Sequence, residues 1–402
     1  MHGRRHDIAI AGGGLAGGLV ALALRRARPE LSVVLVEQGA ALGGNHRWSW
    51  FDSDLSGAGR ELLAPLRITQ WDRGYDVRFP AHSRTLGTAY RSLASPDFDA
   101  GLRRELADGT IRTRAAIAAL DAGGITLSSG EHIAARTVID CRGLTIAPAL
   151  RGGWQVFMGR HLRTAVPHGV ERPVIMDAAL PQHGAYRFVY VLPLGARELF
   201  VEDTCYADGP VLDRRALSAR IDAYCAEHGW SGELLGHETG VLPVISGGNF
   251  GAFRAAHRVP GVAIAGARGG FMHPLTSYTL PFAVETALTI AAEADLPGQQ
   301  LAALIEARAQ RHWSAMRFYR HLGAMLFQAG EPEQRYRIFE RFYRLPQPLI
   351  ERFYAGRSTL PDRTRVLCGK PPVPIAGAIR ALTTKGAPLL APGPALAEKK
   401  LP

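Results

Sequence analysis

Residues 7–37 read DIAIAGGGLAGGLVALALRRARPELSVVLVE, and this run decides the fold. Asp7 to Ala11 has the apolar character of a buried strand. The glycines follow at once, and a helical stretch then leads to a second apolar run, Val33 to Val36. Gly12, Gly14 and Gly17 fit G-x-G-x-x-G, and Glu37 stands 20 residues after Gly17. Each position has a physical reason. Gly12 permits the tight turn, Gly14 lets backbone approach a pyrophosphate, and Gly17 lets helix and strand pack closely. The helix N-terminus presents free N–H groups to phosphate, and Glu37 accepts from a ribose hydroxyl. Strand, glycine turn, helix, strand and acid together predict a βαβ dinucleotide-binding unit.

The remaining composition bounds the answer. A chain of 402 residues suits two or three domains, and 47% hydrophobic with 21% charged residues is globular. The formal charge is +11, yet only Lys370, Lys385, Lys399 and Lys400 are lysines, so 43 of the 47 basic residues are arginine. With no lysine before residue 370, a Walker A loop and a Schiff-base lysine in the main fold are disfavoured. The positive charge reads either as an arginine-rich coding bias or as a basic face toward anionic lipid, and nucleic-acid binding is disfavoured because no recognition motif accompanies it. Cys141, Cys205, Cys225 and Cys368 are scattered, which disfavours a redox disulfide or zinc site and suits a reducing cytoplasm. No metal site is expected. Arg4, Arg5 and the following apolar run resemble a signal peptide, but Asp7 and the glycine spacing assign them to the fold. No uninterrupted apolar span of about 20 residues suggests a transmembrane helix.

Further along, Val138-Ile139-Asp140 reads as a strand entering a turn at Cys141-Arg142-Gly143. Tyr186 to Pro193 and Glu198 to Thr204 read as a hairpin, and Leu212 to Gly229 as a helix. Val262 to Ala265 is a buried strand followed by Gly266, Gly269 and Gly270, then a helix from about Pro281 to Ala294. The chain is therefore expected to carry an interrupted nucleotide-binding domain (1–75, 135–150 and 255–300). A substrate domain built on a sheet (76–134 and 151–254) is inserted into it. A helical, aromatic segment (300–368) and a mobile tail (369–402) complete the chain. One fingerprint, with no second and no C-x-x-C, disfavours a disulfide reductase and points to a flavoprotein with one nucleotide domain.

Four later motifs sharpen this. They are Gly43-Gly44-Asn45-His46-Arg47-Trp48-Ser49-Trp50, Phe200-Val201-Glu202-Asp203-Thr204-Cys205-Tyr206, the run from Gly266 to Pro281 (GARGGFMHPLTSYTLP), and Arg341-Phe342-Tyr343-Arg344-Leu345-Pro346. In this order they resemble the bacterial lycopene β-cyclases, and the resemblance runs from residue 7 to about 360. It implies an α/β flavoprotein of the glutathione-reductase type, with a Rossmann-like FAD-binding domain, an inserted antiparallel-sheet substrate domain and a helical C-terminal part. It also implies reduced FAD as the working cofactor, NAD(P)H as electron source, and lycopene and other ψ-end carotenes as substrates. The product would be β-carotene, formed through γ-carotene with no net redox change by an intramolecular lyase or isomerase. A membrane-dissolved substrate implies peripheral attachment to the inner face of the cell membrane, where other carotenoid-pathway enzymes are partners.

The chemistry requires an acid to protonate a terminal double bond, an apolar site that shelters the cation, and a base. Glu202 is the candidate acid, because an apolar pocket raises its proton affinity. Asp203 should alternate to the opposite strand face and serve as a partner. His273 could contact the flavin or carry a proton. Cofactor contacts are expected from Gly12, Gly14, Gly17, Glu37, His46, Arg47, Asp140, Gly266, Arg268 and Gly270. The aromatics of 313–354 are expected mostly as core of a helical cap, with arginines at its rim. Two alternatives compete. A flavin monooxygenase or prenyl reductase on the same fold would consume NAD(P)H in proportion to product. A flavin-free isoprenoid carrier would show no flavin absorbance.

Overall fold

A computed structural model describes residues 5–146, 148–368 and 375–390. The opening run folds as its periodicity predicts. His6–Ala11 and Val33–Val36 are parallel strands with Ala9 beside Val34, joined by the helix Leu15–Ala27. That helix buries nine residues, carries Arg25 and Arg26 in its last turn where cations suit the dipole, and ends before Pro29. Its long apolar face packs against the helix Leu280–Ala292.

The first sheet is ordered Ile111–Arg112, Val33–Val36, His6–Ala11, His132–Asp140, with Val262–Ile264 alongside the last. These pairings are parallel. The front half of His132–Asp140 instead pairs antiparallel with Gly124–Leu127, which in turn pairs with Ile117–Asp121. The three segments of the expected nucleotide domain thus meet in one sheet at Ala9, Val138 and Val262.

The second sheet has seven strands: Gly232–Gly248, Leu150–Thr164, Glu198–Ala207, Tyr186–Gly195, Val174–Asp177, Tyr75–Phe79 and His82–Leu86. A small third sheet joins Arg47–Phe51, Tyr90–Ala94 and Thr69–Trp71. Sheet membership therefore cuts across the expected 76–134 boundary. Residues 75–86 belong to the second sheet, whereas 111–140 belong to the nucleotide sheet. The cause is long-range pairing at one edge of each piece: Tyr75–Phe79 joins Val174–Asp177, and Ile111–Arg112 joins Val33–Val36.

The C-terminal helices include Gly298–Ala315, Arg317–Ala329, Tyr336–Phe342, Gln347–Tyr354 and Leu360–Leu367. Pro346 caps a helix start and Pro348 occupies its first turn, so the prolines open a helix here. Most of the aromatics are core: Tyr319, Phe339, Phe342, Tyr343, Phe353 and Tyr354 are buried, and Phe339 stacks on Tyr186 with centroids 4.3 Å apart. The tail expectation needs correction within the described residues. Ile375–Thr383 is a helix packed on Arg317–Ala329, and Leu389 is fully buried, its N–H bonded to the Leu150 carbonyl. The apolar residues at 375–389, hidden in a Pro- and Gly-rich composition, account for this. Positions 391–402 lie outside the described residues.

Candidate active site

The glycine turn forms a cradle. Gly12 has φ +98°, and a Cβ there would come within 2.9 Å of Arg142 backbone. A Cβ on Gly17 would strike the Gly12 carbonyl at 2.0 Å, while Gly14 faces open space. The helix begins at Gly14 with no side-chain cap and no acid in its first turn, leaving its N–H groups and positive dipole end open to an anion. Glu37 accepts from Gly13 N–H at 2.8 Å and Gly39 N–H at 2.7 Å. Those bonds fix the carboxylate beside the turn with lone pairs to spare for a ribose. The residues present fit a dinucleotide.

The other expected cofactor residues divide. Asp140 is fully buried and grips Arg142 through two side-chain bonds of 2.9 and 2.8 Å, so it orients that arginine and has no free oxygen facing a ligand. Arg268 bonds the Gly143 carbonyl at 3.1 Å and Thr145 Oγ1 at 3.1 Å, bracing the loop after the strand. Gly266 (φ +62°) leaves room for Ala16, and Gly270 (φ +86°) leaves room for the Phe250 ring. Both glycines serve the turn's own packing.

Between the nucleotide sheet and the second sheet lies a cavity of about 410 Å³. Leu144, Ala267 and Met272 reach it from segments following the nucleotide-sheet strands. His46 and Arg47 reach it from the glycine-rich loop. The second sheet supplies Phe157, Tyr190, Phe200, Glu202 and Glu238.

The strand register explains why two acids meet there. Gly159 lies opposite Glu202 on one side and Glu238 on the other, so both carboxylates project from the same face across a residue with no side chain. A Cβ on Gly159 would lie 2.2 Å from the Phe200 ring, which takes up the space a side chain at 159 would need. Glu202 and Glu238 are 9% and 8% exposed and hydrogen-bond each other. Burial pushes both carboxyls above the usual range, and the mutual bond lowers Glu202 while raising Glu238 further. The pair as a unit therefore holds on to protons toward neutral pH, so that Glu202 can be occupied as an acid with Glu238 beside it. Thr204 Oγ1 also donates to Glu202 at 2.7 Å. The Arg47 charge opposes the upward shifts, and its guanidinium lies 5.4 Å from the Phe200 centroid. Asn45 ties the same loop to the His237 carbonyl at 2.9 Å. Beside Glu202, whose cross-strand neighbour is Tyr190, Tyr278 bonds the hydroxyls of Tyr190 (3.1 Å) and Tyr90 (3.3 Å), and burial holds all three phenols neutral.

Asp203 is correctly expected on the other face, but as a catalytic residue it needs correction. It is fully buried between Arg187, 2.6 Å away, and Arg220, 3.4 Å away, and thereby ties the helix Arg214–Glu227 to the sheet. It influences Glu202 only through its charge. His273 needs correction too. Its Nδ1 accepts from the Leu275 and Thr276 N–H groups, both at 3.3 Å, and its Nε2–H donates to the Phe353 carbonyl at 3.2 Å. With both nitrogens occupied and burial driving its pKa down to about 3, it neither lines the cavity nor carries a proton near neutral pH. It holds the 273–278 turn in place.

Two features escaped sequence reasoning: Glu238, and the tyrosine cluster. The signal for Glu238 is the strand pairing through Gly159, which one sequence does not display.

The family model described as lycopene cyclase protein matches residues 7–380. The chain belongs to the lycopene cyclase family. Among curated relatives, the lycopene beta-cyclase of Paracoccus sp. (strain N81106 / MBIC 01143) is 43% identical over 96% of this chain and 98% of its own length. That of Pseudescherichia vulneris is 42% identical over 93% and 96%, respectively. Solved structures share the fold of this cyclase-family chain. A geranylgeranyl bacteriochlorophyll reductase-like protein from Thermoplasma acidophilum matches with TM-score 0.57 at 13% identity, covering 94% of this chain and 99% of its own. A 2-methyl-3-hydroxypyridine-5-carboxylic acid oxygenase matches with TM-score 0.55 at 13% identity, covering 89% and 99%. Among the described residues, no helix is long and apolar enough to cross a membrane.

Proposed function

We propose that this chain is a lycopene β-cyclase of carotenoid biosynthesis, closing a ring at each ψ-end to give β-carotene through γ-carotene. One observation carries the reading. In a family of lycopene cyclases, this member places a proton-retaining pair of glutamates in a largely apolar cavity beside a dinucleotide cradle. Glu202 delivers the proton to the terminal double bond. The electron pair of that bond forms the new C–H bond and leaves a tertiary cation. The next double bond attacks the cation to close the six-membered ring, and a ring proton then passes to the carboxylate left in the glutamate pair, restoring neutrality and the proton count of the pair. Glu238 re-protonates Glu202 within the pair. Phe157, Tyr190 and Tyr278 face the cavity with aromatic surface that shelters a cation and excludes water.

The cradle of Gly12, Gly14, Gly17 and Glu37 would hold FAD, with His46 and Arg47 toward its far end. FAD in its reduced state, replenished from NAD(P)H, would supply negative charge near the developing cation. The exposed Leu360, Leu367 and Ile379 stand among arginines and give a surface suited to the inner face of the cell membrane, where the polyene resides.

The test is expression in a lycopene-accumulating bacterium with chromatography of the pigments. Conversion to β-carotene is expected. Unchanged lycopene despite soluble, flavin-loaded protein would refute the reading, and NAD(P)H consumption in proportion to product would favour a reductase or monooxygenase instead.

A further inference from the structure

A second cavity, of about 350 Å³, lies among the C-terminal helices and is lined by Leu322, Met325, Phe339, Phe342 and Tyr354. Its wall toward the sheets is formed by Leu275 and Thr276, and Thr276 also lines the acid cavity. At its outer mouth, Leu367, Ile379 and Leu382 are 53, 59 and 49% exposed. Thr276 of the 273–278 turn thus borders both cavities, and the outer one has an apolar rim.

The turn that borders both cavities is tethered at every point but one. Its flanks are anchored, with Tyr206 Oη–H donating to the Leu275 carbonyl at 3.1 Å and Ser277 Oγ–H to the Pro243 carbonyl at 2.8 Å. Thr276 between them has a buried hydroxyl with no partner, and Ser277 adopts φ +59°, a conformation rarely taken by a residue with a side chain. The orphan hydroxyl makes Thr276 the side chain at which this border is least tied down.

Size then decides the occupant. Benzene fills an apolar cavity of about 150 Å³, so a forty-carbon hydrocarbon needs on the order of 1,000 Å³. The acid cavity cannot hold such a chain. The second cavity offers no cation pair and almost no polar group besides Thr276, Tyr354 and Arg341, so it suits a hydrocarbon and not a polar ligand. We propose that the cavity between the C-terminal helices binds the part of the polyene remote from the end being cyclised, with the chain passing over Thr276 into the acid cavity. This rests on the reading of the protein as a lycopene cyclase and adds where the substrate's length is accommodated.

The experiment compares lycopene in detergent micelles with a half-length polyene bearing a single ψ-end, on flavin-loaded full-length protein. Met325→Trp should lower the ratio of lycopene turnover to half-length turnover at least tenfold, because bulk in the second cavity obstructs only the long substrate. Unchanged flavin content and thermal midpoint identify folded protein. If Met325→Trp does not fold, Leu322→Phe fills the same space with less bulk and is read in the same way. An unchanged ratio, whether both turnovers persist or both fall together, overturns the proposal. Failure of the wild-type protein on both polyenes instead overturns the cyclase reading and this proposal with it.

Discussion

Glu202 and Asp203 are neighbours on one strand, both buried, and they have opposite fates. Asp203 faces Arg187 and Arg220 and is held as a compensated ion pair. Glu202 faces an apolar cavity, shares a proton with Glu238, and has only Arg47 as a more distant cation. One side of the sheet joins its acid to a helix; the other keeps its acid reactive. The pleat alone separates them, since successive side chains leave a strand on opposite faces. A carboxylate flanked by two cations contributes structure, and one flanked by another carboxyl contributes protons.

The contrast can be broken by experiment. The largest expected effect is Glu202→Gln, which should abolish cyclisation by about 10³-fold or more while flavin absorbance persists, because the amide cannot donate the proton. Pigment chromatography with a flavin spectrum checks both halves. Asp203→Asn should do the reverse. It leaves the buried Arg187 and the half-buried Arg220 undercompensated and should destabilise by about 3 kcal/mol in denaturant unfolding, with turnover per folded molecule within about threefold of wild type. A loss of turnover as deep as that of Glu202→Gln would erase the distinction between the two faces.

Glu238→Gln sharpens it further. Turnover should fall about tenfold, and the alkaline limb of the pH–rate profile should move to lower pH, because the proton reserve is gone while the amide still donates to Glu202. Stability gives an independent sign. The folded-state pKa of Glu238 is raised, so its contribution is complete below the unfolded carboxylate range and is lost as pH rises through the raised value. Glu238→Gln should therefore gain thermal stability relative to wild type as pH is raised above neutral, and a gain only in acid would contradict the assignment. The smallest effect concerns His273. Its folded pKa is depressed to about 3, so its contribution is present above the unfolded histidine value and is lost as pH falls toward 3. His273→Gln should soften acid unfolding in that window and leave the pH–rate profile between about pH 6 and 8 unshifted. A shifted profile would return His273 to the proton path.

What was legible in the sequence follows interaction range. The Gly12–Gly17 turn, the helix after it and Glu37 lie within one supersecondary unit, and local spacing revealed them. The opposite directions of Glu202 and Asp203 followed from the period of a strand, while the choice of Glu202 as acid rested on the family resemblance. Glu238 did not, because its meaning depends on register with Gly159, 79 positions earlier. The sheet assignment of residues 111–140 was hidden for the same reason. His273 misled because a histidine in a glycine-rich loop looks available, and only the two amides aimed at Nδ1 show that it is not. Asp140 misled similarly, its carboxylate taken by an arginine two residues away.

Gly159 carries a consequence beyond its own position. The Phe200 ring occupies the volume a methyl would claim there, and that ring in turn rests against the Arg47 guanidinium. Nothing at 159 titrates, yet adding one carbon would displace the ring, shift the cation and so retune both acids at once. The reactivity of this site is thus adjustable from a residue with no chemistry of its own, and evolution or an engineer could vary the strength of the acid while leaving both glutamates in place.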